Sequence, residues 1–71
     1  MIAVMIQIVV NGAAHRFEQP LDVTELLRRL ELAGKKIAVE QNGAIVPKSA
    51  HASTVVNDGD QLEIVVAVGG G

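Results

Sequence analysis

Apolar residues alternate along the first ten positions in a way that marks both faces of one strand: Ile2, Val4, Ile6, Ile8 and Val10 share one face, and Ala3, Met5, Gln7 and Val9 the other. A strand apolar on both faces is predicted to be central in its sheet. Asn11 and Gly12 follow, a pair suited to the φ > 0 positions of a tight hairpin turn. The stretch from His15 to Glu18 is then the returning strand, with Phe17 pointing into the core.

Periodicity next switches from two to 3.6. Asp22 is placed to cap the first helical turn, Glu25 three residues later completes a capping box, and Leu21 with Leu26 forms the hydrophobic staple. Val23, Leu26, Leu27 and Leu30 follow the i, i+3, i+4, i+7 pattern, giving one apolar stripe with Arg28, Arg29 and Glu31 toward water. Gly34 is the predicted stop. Each buried leucine contributes about 1.5 to 3 kcal/mol, a large share of the stability of so small a domain.

Beyond the helix, Ile37 and Val39 open another strand, Asn42 and Gly43 make a second turn, and Ile45, Val46 and Pro47 form a short edge segment, since proline cannot donate to a ladder. Lys48 to Thr54 is read as a surface connection. Asn57, Asp58, Gly59 and Asp60 form a turn whose side chains bond their own backbone, leading into a last strand from Gln61 to Val68 on which Leu62, Ile64, Val66 and Val68 share a face. First and last strands that are both strongly apolar, joined through one helix, are expected parallel at the centre of one mixed sheet with the helix packed on one face. That α+β arrangement is the β-grasp of ubiquitin-like proteins, expected over residues 1–68, with residues 69–71 as a flexible glycine tail.

The chain has 71 residues, enough for one domain that buries only about 60% of the surface its unfolded form exposes. An internal active site has little room. Six Lys and Arg stand against eight Asp and Glu, and Phe17 is the lone aromatic, so neither a basic stripe nor stacking rings favour a nucleic-acid partner. The apolar start is too short for a membrane span and lacks the flanks of a secretory signal, and with no cysteine a cytoplasmic home is expected. His15 and His51 have no ligand-pair spacing, Asp58 and Asp60 are explained by the turn around Gly59, and the segment Gly43 to Ser49 lacks the second glycine of a phosphate loop.

What remains is the end. Gly69, Gly70 and Gly71 make a thread with almost no side-chain volume, able to reach about 10 Å beyond the last strand residue at roughly 3.3 Å per residue. A carboxylate at its tip is expected to be open to activation as an acyl adenylate, its carbonyl carbon unhindered. On the tail alone, a frayed terminus is an equal reading.

The segments IQIVVNG at Ile6 to Gly12, VTELLRRL at Val23 to Leu30, AVEQNGAIVPKS at Ala38 to Ser49, NDGDQLEIV at Asn57 to Val65 and AVGGG at Ala67 to Gly71, in this order and spacing, resemble the ThiS family of thiamin-pathway sulfur carriers nearly end to end. Family members begin near the position of Met5, so Met1 to Val4 lie ahead of the resemblance. The resemblance implies a carrier that is a substrate rather than an enzyme. On this resemblance Gly71 is expected to be adenylated by a ThiF-type adenylyltransferase using ATP and magnesium, with no cofactor bound by the carrier itself. A sulfur donor protein is then expected to convert it to a thiocarboxylate for thiazole synthase (ThiG) to accept, with Gly69 and Gly70 as the thread that fits the partners' channels.

Met5, Val9, Val65, Ala67 and Val68 are expected to give the central strands an apolar second face for partner docking, since uncovered apolar sheet residues mark interaction surfaces. Alternatives are a molybdopterin-synthase small-subunit-type carrier with the same tail chemistry, a ubiquitin-like modifier, and a β-grasp module that binds without covalent chemistry.

Overall fold

The computed structural model describes residues 5–67. Met1 to Val4, on which the sequence reading began the first strand, and Val68 to Gly71, which hold the proposed tail, lie outside them. Strand β1 (Ile6–Val10) turns through Asn11 and Gly12, at φ 50° and 84°, into β2 (Ala13–Phe17). After β3 (Leu21–Asp22), helix α1 (Val23–Arg29) crosses to β4 (Ile37–Gln41). Asn42 and Gly43, at φ 52° and 86°, turn β4 into β5 (Ala44–Val46). A 3-10 turn (Lys48–Ala50), β6 (Val55–Val56) and β7 (Gln61–Val66) complete the described chain.

The main sheet has the order β2-β1-β7-β4-β5, with β1 and β7 parallel and the other pairs antiparallel. The expected parallel centre and edge β5 are both present. A second small sheet pairs β3 with β6, Leu21 opposite Val56 and Asp22 opposite Val55. The sequence reading missed it. One face of the main sheet supplies Ile6, Ile8, Val10, Val39, Val46, Leu62 and Ile64 to a core closed by Leu21, Val23, Leu26, Leu27 and Val56.

Asp22 caps the helix as predicted, its carboxylate accepting the Glu25 amide at 2.7 Å. The Val23 and Thr24 amides donate to the Thr54 and His51 carbonyls, so two of the free N–H groups of the first turn are met by the later loop. The reciprocal half of the capping box does not form. Asp22 is occupied in β3, and the Glu25 carboxylate accepts from Arg28 at 2.7 Å and Arg29 at 2.8 Å, which hold its pKa down at about 2.

The helix also ends earlier than Gly34. Glu31 adopts φ 61°, its amide donates to the Arg28 carbonyl, and the Leu32 amide donates to the Leu27 carbonyl at 2.8 Å. These are the two bonds of a Schellman cap, with a glutamate where glycine is usual. Leu32 at the cap's far end packs on the core with Leu27, and that contact sets the stop.

Phe17 faces the core as expected, half-buried opposite Ile6 at the sheet's edge and stacked on His15 with ring centroids 6.5 Å apart. One further expectation changes. His51, in the stretch read as a surface connection, is buried and has Nε2 3.2 Å from the Val46 carbonyl, so this loop folds back over edge strand β5.

Candidate functional site

Strand β7, which leads toward Gly69 to Gly71, is held from both flanks. On the β4 side the ladder runs from Gln41 opposite Leu62 to Ile37 opposite Val66, and the Ala67 amide continues it by donating to the Lys36 carbonyl at 2.8 Å. On the β1 side the pairing covers only Val9 opposite Gln61 and Val10 opposite Leu62 before β1 turns away. Asn11 extends it with its side chain: Nδ2 donates to the Ile64 carbonyl at 2.9 Å, and Oδ1 accepts the Ile64 amide at 2.8 Å. The primary amide stands in for one more peptide unit of β1.

The second hairpin asparagine works from the other side. Asn42 Oδ1 accepts the Gln61 amide at 2.9 Å and its Nδ2 donates to Asp60 Oδ1 at 3.0 Å. Asp60 also accepts from Gln41 Nε2 and from the Asn57 amide, both at 2.8 Å. Partial burial works to raise the Asp60 pKa, but these bonds outweigh it and hold the carboxyl below its ordinary range. Asp58 accepts the Gln7 amide at 2.8 Å, and the Gly59 amide donates to the Gln7 carbonyl. The two aspartates therefore lock the turn onto β1 and onto the β4–β5 hairpin, a structural use that accounts for both.

The face of the sheet away from the core carries Gln7 and Val9 from β1 with Met5 just ahead of it, Gln61, Glu63 and Val65 from β7, Ala38 and Glu40 from β4, and Ile45 from β5. Met5, Val65 and Ile45 are 53%, 63% and 66% exposed, Ala67 is exposed, and Val9 is half-buried. The sequence reading grouped Met5, Val9, Val65, Ala67 and Val68 as one surface, of which Val68 lies outside the described residues. The other four do face the same way, but the parallel register separates them lengthwise: Met5 lies four residues before Val9, and Val65 four residues after Gln61, its partner, so about 26 Å divides them.

At the C-terminal end of β7 the outer face carries Val65, its cross-strand partner Ala38, and Ala67, with Ile45 on β5 diagonal to Ala38. The sequence reading placed Ala38 and Ile45 in strand segments but did not assign them to this surface, although both sit at outward positions of their strands. Glu63 and Glu40, directly opposite one another between Val65 and Gln61, were also missed, and strand alternation alone places both outward. Among the described residues, no three acidic or histidine side chains group as metal ligands, and no helix is long and apolar enough to cross a membrane.

The ThiS family model matches residues 5–71. The crystal structure of a thiamine biosynthesis protein (ThiS) from Geobacter metallireducens superposes with a TM-score of 0.80 at 36% identity, covering 93% of this chain and 100% of that one. A solution structure of a thiamine biosynthesis protein from the same organism gives 0.76 at 36% identity, covering 93% of this chain and 88% of that one. A thiazole synthase from Paramagnetospirillum magneticum is 48% identical over 65 residues, 92% of this chain, which spans only 20% of that protein's length. A family match over nearly the whole sequence, a mixed sheet with β1 and β7 parallel and a single helix, and solved ThiS structures of the same fold together establish that the chain belongs to the ThiS family.

Proposed function

We propose that this protein is a cytoplasmic sulfur carrier of thiamin biosynthesis, acting as a protein substrate and not as an enzyme. The Gly71 carboxylate attacks the α-phosphate of ATP, with magnesium, on a ThiF-type adenylyltransferase, and pyrophosphate leaves. A donor delivering sulfur at the sulfide level then attacks the acyl carbon, AMP departs with the former carboxylate oxygen, and a thiocarboxylate remains. Thiazole synthase takes up that sulfur. Glycines at positions 69 and 70 let the thread enter a channel in each partner, where a Cβ would meet the walls.

The observation that carries this reading is the family match that runs through the glycine end to Gly71. Two others support it. The last described residues form the central strand of the sheet, so residues 68–71 follow directly from the best-braced element of the fold. A protein named thiazole synthase also contains a segment like this chain, as expected of a carrier and an acceptor that work on the same sulfur.

The test is intact-protein mass spectrometry after incubation with the adenylyltransferase, ATP, magnesium and a sulfur donor. The expected product is heavier by one oxygen-to-sulfur exchange, and deletion of Gly71 abolishes the gain. An unaltered mass with an enzyme that demonstrably activates another carrier refutes the proposal.

A further inference from the structure

Glu40 and Glu63 occupy directly opposite positions of β4 and β7 on the outer face. Ile64 turns its amide and carbonyl toward Asn11, so those of Glu63 point the other way, to β4, making this a hydrogen-bonded pair with Cα atoms about 5.5 Å apart. Like charges in such a pair disfavour the fold. Among the described residues neither carboxylate is engaged in an ion pair, whereas Glu25, on the helix, has two. The two glutamates line an open groove with Val9, Gln61 and the turn glycines Gly12 and Gly43, at which an added Cβ would meet nothing within 4 Å. Further along β7 the groove is followed by exposed Val65 with Ala38 opposite it, while exposed Ile45 flanks Glu40 on β5, diagonal to Ala38.

We infer that this face receives the protein that draws in the tail, and that the partner sets an apolar side chain on Val65, Ala38 and Ile45 and an arginine in the groove between Glu40 and Glu63. Charge complementarity selects this occupant. Two carboxylates one hydrogen-bonded pair apart match the planar fork of a guanidinium, which is weakly hydrated and tolerates apolar neighbours, better than the compact, strongly hydrated ammonium of lysine. The surface continues along β7 toward residues 68–71, so docking there and threading the tail are one event. The inference rests on the sulfur-carrier reading for the identity of the partner, not for its chemistry.

The experiment measures binding of the full chain to the ThiF-type adenylyltransferase and to the thiazole synthase of the same genome, for the wild type, the double variant Glu40→Gln/Glu63→Gln, and Val65→Asp. The double variant is expected to bind at least one of them tenfold or more weakly, with a shallower salt dependence, while its thermal midpoint is unchanged or higher because the repulsion is gone. Val65→Asp is expected to weaken the same complex. Unchanged affinity in both variants overturns the inference even if the tail is thiocarboxylated. So does a wild-type chain that binds neither enzyme, or one that uses this face to dimerise, as shown by a dimer that these variants dissociate. The mass assay on Gly71 reports separately on the carrier reading.

Discussion

Replacing Asn11 with glycine tests how strand β7 is held where β1 has ended. Glycine accepts the φ of 50° at this turn position, so the hairpin geometry survives while both side-chain bonds to Ile64, at 2.9 and 2.8 Å, are lost. Each such bond contributes about 0.5–1.5 kcal/mol net, and the glycine's added freedom in the unfolded chain costs about a further 0.4–1 kcal/mol. The expected loss is about 2–3 kcal/mol. For a chain of 71 residues, total stability at about 0.05–0.15 kcal/mol per residue is about 4–11 kcal/mol, so the change is large.

Urea denaturation followed by circular dichroism gives the free energy, and the thermal midpoint is expected to fall by about 10–15 °C. Hydrogen exchange adds a local readout: the Ile64 amide, whose bond to Asn11 Oδ1 is lost, is expected to exchange faster in the variant even after correction for the global change. A loss below about 0.5 kcal/mol together with unchanged Ile64 protection would show that the side-chain amide does not substitute for a ladder peptide, and the account of how β7 is anchored would be wrong.

Two further outcomes follow from the caps and the aspartate turn. Glu31→Gly removes the left-handed penalty of about 1–2 kcal/mol and adds back about 0.4–1 kcal/mol of unfolded-state freedom, so it is expected to stabilise by about 0.5–1 kcal/mol, read as a rise of about 4 °C in thermal midpoint; a fall would refute the assignment of Glu31 as the cap residue. Asp60 has a folded pKa below its ordinary value of 3.8, so its contribution is complete above that value and is lost as pH falls through the folded pKa. The difference in urea midpoint between the wild type and Asp60→Asn is accordingly expected to be largest near neutral pH and to shrink below about pH 4, and a difference that grows on acidification would contradict the hydrogen bonds drawn to that carboxylate.

The parts of this fold that were readable in advance are those coded locally. Asp22 before an apolar 3.6-residue stripe marked the helix start, and both Asn-Gly pairs marked hairpins, because each signal depends on neighbours within a few residues. What could not be read depends on distant contacts. Leu21–Asp22 and Val55–Val56 are too short to show a period, and they form strands only because the helix entry and the later loop lie together. The lengthwise separation of Met5 from Val65 reflects a parallel register, which no hairpin fixes and which is set here by bonds such as that from the Val9 amide to the Asp60 carbonyl. Glu31 was passed over because a left-handed cap is normally sought at glycine, and Gly34 stood nearby. At the candidate site, composition singled out the glycine end and strand alternation the outward apolar residues. The chemistry assigned to Gly71 came from family resemblance.

The parallel β1–β7 pair also has a mechanical consequence. Traction on the chain beyond Val66, opposed by a grip on the chain before Ile6, runs along both strands in opposite senses and loads their cross-links in shear, so they must break together and not one at a time. The Val9 and Asn11 amides, the Asn11 carboxamide and the Asp58–Gln7 and Gly59–Gln7 bonds all bridge that seam. A body built this way resists being drawn apart between the start of its first strand and the end of its last, because no single bond can give way alone.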